Sequence, residues 1–169
     1  CSLAVVGIGV IANVELAEAA GIAIDNGIVV DDQCHTSDPD VFSAGDVTNH
    51  PNSLLGKRIR LESWENAQNQ GIAAGKAMLD KGETYAEIPW FWSDQYDRKL
   101  QLAGRPHPDD EVRVVAGSTA EHRFAAFYGR DGRFTAALGM NRPRQVMQSK
   151  GLLEAGASWD EALAFASEW

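Results

Sequence analysis

The sequence predicts an α/β unit followed by an α+β unit, and three features carry that prediction. Two apolar stretches, residues 3–6 and 41–44, each run into a glycine and are followed by a helix-forming segment, the alternation that places helices against a sheet. Near residue 85 the composition turns from acidic to aromatic and basic, so a boundary is expected between 1–84 and 85–169. Beyond it, two alternating stretches meet at Asp131-Gly132, a hairpin signal, and helical spacing appears only afterwards. With 169 residues the chain is long enough for one large or two small domains, each with a core.

In chain order, residues 3–6 read as a buried strand, Gly7-Ile8-Gly9 as a tight turn, and residues 13–20 as a short helix with Val14, Leu16, Ala17 and Ala20 on its apolar side. Gly7, Gly9 and Ala12 fit G-x-G-x-x-A, the pattern of a dinucleotide phosphate loop. The helix is too short for that fold, and residues 28–32 look instead like a strand entered through the Asn26-Gly27 turn. Asp31, Asp32, Asp38 and Asp40 around Cys34 and His35 read as a solvated loop rather than a metal site, because turns use Asp for backbone reasons. Ser37-Asp38-Pro39 then turns the chain into residues 41–44, a strand that delivers Gly45 and Asp46 to one point. Gly45 lets backbone approach a ligand closely, and Asp46 offers two acceptor oxygens to hydroxyls, which suits a polyol.

Residues 47–59 read as a polar loop, with His50 on its surface. Ser63 is the expected N-cap of a helix on which Trp64, Ala67, Gln68, Gly71, Ile72, Gly75, Met78 and Leu79 recur at helical spacing up to Gly82. Gly71 and Gly75 imply close packing of that face. In the second unit, alternation puts Trp90, Trp92, Asp94 and Tyr96 on one side of a strand. Residues 111–117 form another strand, and residues 123–128 and 133–138 flank the Asp-Gly turn. Residues 142–155 are helical, and Ser158 caps a last short helix.

Four stretches together resemble the FAD-dependent ferredoxin reductases of bacterial oxygenase systems, which are two-dinucleotide-fold flavoproteins. They are V-V-G-I-G-V-I-A-N, T-S-D-P-D-V-F-S-A-G-D, E-S-W-E-N-A-Q-N-Q-G and P-W-F-W-S-D-Q-Y. The resemblance covers essentially the whole chain. It implies that residues 1–84 are the end of an NAD fold and the C-terminal part of an FAD fold, and that 85–169 are a C-terminal reductase domain. It also implies a chain that begins in mid-fold and lacks the first phosphate loop, so the fragment alone is expected to bind FAD poorly. By the same likeness Gly45, Asp46 and Val47 lie at the ribityl chain of FAD, Trp64 and Trp92 at the flavin ring, and Glu62 near the nicotinamide carboxamide. Gly7 and Gly9 lie near the NAD(P)H nucleotide. No residue is required as acid, base or nucleophile, since the cofactor carries the chemistry.

Charge bounds the partners. The net charge of −9 excludes a typical nucleic-acid binder, which needs a surplus of Lys and Arg. Residues 1–89 carry 5 basic and 13 acidic residues, a net −8, whereas 90–169 carry 10 and 11, a net −1. Only the second unit can present cations to an acidic iron–sulfur ferredoxin, and Arg130, Arg133, Arg142, Arg144 and Lys150 are the candidates. No apolar run is long enough for a membrane span and no leader is evident, so a cytoplasmic location is expected. Cys1 and Cys34 are too few and too far apart for a disulfide framework and read as reduced structural thiols. His107-Pro108 sits in a proline-rich loop and is only superficially like a catalytic His-Pro pair. Two other readings remain open: a non-catalytic protein-docking module, and a flavoprotein that reduces a small acceptor such as nitrite or a quinone.

Overall fold

The computed structural model describes residues 1–169 and holds two sheets joined by a pinned connector. The first is a small sheet of β1 (Ile28–Val29), β2 (Thr48–Asn52) and β3 (Lys57–Ile59), in that order. β1 runs parallel to β2, pairing Ile28 with Thr48, and β2 forms an antiparallel hairpin with β3, pairing His50 with Ile59. The turn at Asn26-Gly27 enters β1 as expected, both residues having positive φ (47° and 114°). A Cβ at Gly27 would collide with the Val47 carbonyl, so that close approach requires glycine.

Helix α1 (Glu15–Ala19) precedes this sheet and α2 (Trp64–Ala77) follows it. Ser63 is the N-cap of α2 by backbone position, but its side chain makes no capping hydrogen bond. Several expectations fail in this half. Residues 3–6 are not a strand: the whole segment 1–14 lacks regular structure, and Val5 is 90% exposed. A strand exists only through a neighbour that accepts its ladder, and none lies beside these residues. Residues 41–44 likewise hold a single bridge, His35 to Phe42, and the strand lies after Asp46 in the stretch read as a loop. Pro51 hid it, yet β1 reaches only to Asn49, so the missing N–H of Pro51 costs no bond to β1.

The α2 face is also reversed. Asn66, Gln70, Ala74 and Ala77 are buried, whereas Trp64, Ile72, Met78 and Leu79 are exposed, and nothing lies within 4 Å of a Cβ built at Gly71 or Gly75. The expected close contact at those glycines does not occur within this chain.

The second sheet is antiparallel with five strands: β4 (Trp90–Gln95), β5 (Arg98–Gly104), β6 (Glu111–Ser118), β7 (Arg123–Arg130) and β8 (Arg133–Met140), in the order β4-β5-β8-β7-β6. Asp131 and Gly132 turn β7 into β8 with φ of 53° and 74°, the left-handed values that a two-residue hairpin of this twist demands. Tyr96-Asp97 makes a second tight turn, between β4 and β5, with Tyr96 at φ 55°. Helices α3 (Pro143–Glu154) and α4 (Trp159–Ala166) close one face of the sheet around Phe127, Phe134, Val146, Leu153 and Ala162. Ser158 and Glu161 form a complete capping box at α4.

The connector between the sheets is held on the first unit. Tyr85 N–H donates to the Asp32 carbonyl at 2.7 Å and its hydroxyl to Asn66 at 3.2 Å. Asn52 donates to the Glu87 carbonyl at 2.8 Å and Asn69 to the Glu87 carboxylate at 2.7 Å.

Candidate functional site

The site begins at Gly45. Its φ of +84° is a left-handed value, and a Cβ there would lie 3.6 Å from Ala67, so the bend after Ala44 is pressed against the start of α2. Buried Gln70 fixes that contact, because its Oε1 accepts from Gly45 N–H at 2.8 Å. The bend carries Asp46, whose side chain is exposed, into the open in front of the helix. Val47 contributes its carbonyl to Ile28 N–H at 2.8 Å and thereby ties the bend to β1.

Arg60 brings three segments to the same place. Its guanidinium donates to the Asp46 carbonyl at 3.0 Å and to the Asn26 side chain at 3.3 Å, and it pairs with the Glu62 carboxylate at 2.7 Å. Glu62 thus stands beside Asp46 and is held in place by a cation. The helix that follows leaves its first amides without a side-chain cap, so the positive end of its dipole is free to face an anion.

Trp64 stands at the first residue of α2 and remains 67% exposed. Trp92 reaches it from β4, with ring centroids 5.9 Å apart and planes at 82°, an edge-to-face pair between α2 and the second sheet. Beneath them lies a cavity of about 380 Å³ lined by Trp64, Gln68, Trp90, Trp92, Met147 and Lys150. Lys150 is paired with Glu65 at 3.6 Å on its rim. Gly45, Asp46, Val47, Glu62, Trp64 and Trp92 therefore share one side of the molecule. Gly7 and Gly9 do not join them: they sit in the exposed, irregular segment with nothing within 4 Å of a built Cβ.

Two residues that hold the site were missed in the sequence. Gln70 lies within the stretch E-S-W-E-N-A-Q-N-Q-G, but a polar residue at a helical position gives no sign that it will accept from a distant backbone N–H. Arg60 had no signal beyond its place before Leu61-Glu62. His50 is a correction. It is 1% exposed rather than on the surface, its ring lies 5.4 Å from that of Tyr85, and neither ring nitrogen has a partner. Burial, reinforced by Arg58, pushes its pKa below the usual histidine value.

Burial pushes the Cys34 thiol up to about 11, with Asp31 and Asp32 adding to the shift, so it is an inert buried thiol, whereas Cys1 is exposed. The acidic loop around Cys34 forms no metal cluster. The five candidate cations of the second unit do not make one patch. Arg130 and Arg133 flank the hairpin turn, whereas Arg142 and Arg144 lie past the far end of β8, roughly 25 Å away at the rise of an eight-residue strand. No helix is long and apolar enough to cross a membrane.

Both units of the chain are similar to known proteins. The pyridine nucleotide-disulphide oxidoreductase family matches residues 1–71, and the Reductase C-terminal family matches residues 90–168. The chain is 48% identical over 157 residues to the anthranilate 1,2-dioxygenase system ferredoxin–NAD(+) reductase component of Burkholderia cepacia, covering 92% of this chain and 38% of that protein. It is 38% identical over 149 residues to rhodocoxin reductase of Rhodococcus erythropolis, covering 88% and 35%. Among solved structures, the covalent putidaredoxin reductase–putidaredoxin complex matches with a TM-score of 0.83 at 37% identity, over 89% of this chain and 36% of that one. The chain therefore spans well under half the length of the relatives it matches. Residues 1–71 thus match the pyridine nucleotide-disulphide oxidoreductase family and residues 90–168 the Reductase C-terminal family, and over most of its length the chain is similar to proteins named as ferredoxin, rhodocoxin and putidaredoxin reductases.

Proposed function

We propose that this chain forms the flavin-facing and partner-facing part of a cytoplasmic reductase in which electrons pass from NADH through FAD to an iron–sulfur ferredoxin that feeds an oxygenase. The observation that carries this reading is the convergence of an exposed carboxylate, an uncapped helix start and two partly exposed indoles on one side of the molecule. That donor set suits a flavin: a carboxylate for ribityl hydroxyls, amide N–H groups for an electron-rich ring edge, and flat apolar surface for the ring itself. When bound, FAD supplies the exchange between the two electrons of a nicotinamide and the single electrons of a ferredoxin.

The chain's own residues bind, orient and shield. Asp46 holds the sugar-like part of the cofactor, with Gly45 and Val47 supplying backbone beside it. The first amides of α2 favour negative charge on the flavin's pyrimidine edge, which tunes the site toward reduction. Trp64 and Trp92 exclude water from the ring. Glu62, oriented by Arg60, would accept from a carboxamide of the nicotinamide, and Gly7 and Gly9, which lie outside this cluster, are assigned to the rest of that nucleotide by the family likeness alone. In this reading residues 1–84 complete the nucleotide-binding folds and residues 85–169 cover the flavin and meet the partner.

The test is the visible absorption spectrum of the protein expressed with its complete gene, recorded before and after anaerobic addition of NADH. Flavin bands that bleach are the expected result. A colourless protein overturns the roles of Asp46, Trp64 and Trp92 together.

A further inference from the structure

A second cavity, also of about 380 Å³, lies between the β2–β3 hairpin and the β7–β8 hairpin. Trp64 and Trp92 take no part in it. Its lining residues include Lys57, Arg105, Arg130 and Arg133, with Asp131 as the one carboxylate among them. In a chain of net charge −9, four cations drawn from three separate segments meet around one space.

Three of them are not neutralised. Lys57, Arg105 and Arg133 make no ion pair. The fourth is held in place: Arg130 Nε lies 3.7 Å from Oδ1 of Asp110, whose side chain is wholly buried. Asp110 is in turn fixed, its Oδ2 accepting from Thr135 Oγ1 at 2.7 Å and from His107 N–H at 2.9 Å. Thr135 itself lines the cavity. A buried carboxylate thus positions one arginine and one hydroxyl at the wall, while the remaining cations stay free.

Such a wall suits phosphate rather than a single carboxylate. Guanidinium groups are planar forks that bind phosphate oxygens in pairs, and three unpaired cations with one paired arginine exceed what one carboxylate can neutralise. The lining also includes Leu54 and Leu55, with Ile88, Phe134 and Leu153 behind them, so an organic group attached to the phosphates meets some apolar surface. We propose that this cavity is an anion site for a diphosphate or polyphosphate, separate from the flavin-facing side.

The test uses the flavin-loaded, full-length reductase containing this chain. Sodium pyrophosphate is titrated calorimetrically at low salt into the wild type, R105A/R133A, K57A, and a charge-matched control K81A/R123A whose positions do not line the cavity. Losing charge-assisted hydrogen bonds to two arginines should weaken binding by about tenfold or more, and K57A should weaken it less. The control should bind as the wild type does, and all four proteins should keep the wild-type flavin spectrum. Equal affinity in the wild type and R105A/R133A overturns the proposal, because pyrophosphate then binds elsewhere, for example at a nucleotide site. So does an equal loss in K81A/R123A, which would mark a non-specific charge effect. If R105A/R133A loses its flavin spectrum, K57A decides alone: weakened binding supports the site, and unchanged binding overturns it. Repeating the titration with inorganic phosphate and with adenosine diphosphate separates the sources. Tighter binding of the nucleotide that is lost in R105A/R133A supports an organic group against the apolar lining, tighter binding that R105A/R133A keeps overturns it by marking a nucleotide site elsewhere, and no preference for either diphosphate over phosphate overturns the assignment to diphosphates.

Discussion

The two sheets are stabilised by different balances of apolar and polar burial. Around the second, the buried groups are Phe127, Phe134, Val146, Leu153 and a row of alanines, packed between β5, β7, β8 and the two helices. Around the first, the most deeply buried side chains include Thr48, His50, Asn52 and Gln70, while Val5, Ile8, Ile11, Leu16 and Leu79 are exposed. The second unit is held mainly by apolar burial, whereas the first adds directed hydrogen bonds between segments distant in sequence to a smaller apolar core that includes Val30, Cys34, Ile59, Ala74 and Ala77. Apolar cores tolerate changes of detail but are costly to empty, whereas hydrogen-bonded seams depend on single donors and acceptors.

That contrast can be tested from the largest effect down. Phe127→Ala empties the centre of the apolar core and should lower stability by about 3–5 kcal/mol in urea unfolding of the intact protein. A loss under about 1 kcal/mol would mean that this core contributes far less than its burial suggests. Gln70→Leu keeps the bulk but strands the Gly45 N–H, and should cost about 1–3 kcal/mol. It should also lower flavin content, because the Gly45 bend carries Asp46. Stability and flavin content both unchanged would show that Ala67 packing alone fixes the bend. Ser158→Ala removes the side-chain half of the α4 capping box and should cost about 1 kcal/mol with no change in flavin content.

The smallest change per step is expected from pH. Burial holds His50 below its ordinary pKa, so the unfolded chain takes up a proton more readily than the folded one. Stability should be full above about 6.5, the unperturbed histidine value, and should fall as the pH drops from there toward the lowered folded value. His50→Phe should flatten that part of the profile. If it does not, another group drives the decline.

What was legible in the sequence was local. Asp131-Gly132 and Ser158 act within a few residues of themselves, and each stands where the pattern put it. What was not legible depended on partners. Residues 3–6 have strand composition but no neighbouring ladder, while Thr48–Asn52 looks like a loop and becomes a strand because β1 and β3 flank it. The periodicity of α2 identified the helix but not its inward side, since a hydrogen-bonding glutamine outranked the exposed aliphatic residues there. Tyr96-Asp97 escaped notice because tyrosine at positive φ is no turn signal. At the site, the motif named the residues at the surface, and the structure added the two that hold them, Arg60 and Gln70.

The connector has a consequence for how this portion of the molecule can vary. Between Asn66 and Trp90 the chain is fastened at Thr84, Tyr85 and Glu87 to three separate parts of the first unit. Its length is therefore a gauge: adding or removing one residue between Glu87 and Trp90 would slip the β4 strand by one place and turn Trp92 to the opposite face of the sheet. Insertions should be confined to the exposed turns at Tyr96-Asp97 and Asp131-Gly132, where the chain can grow without altering the gap between the two indoles.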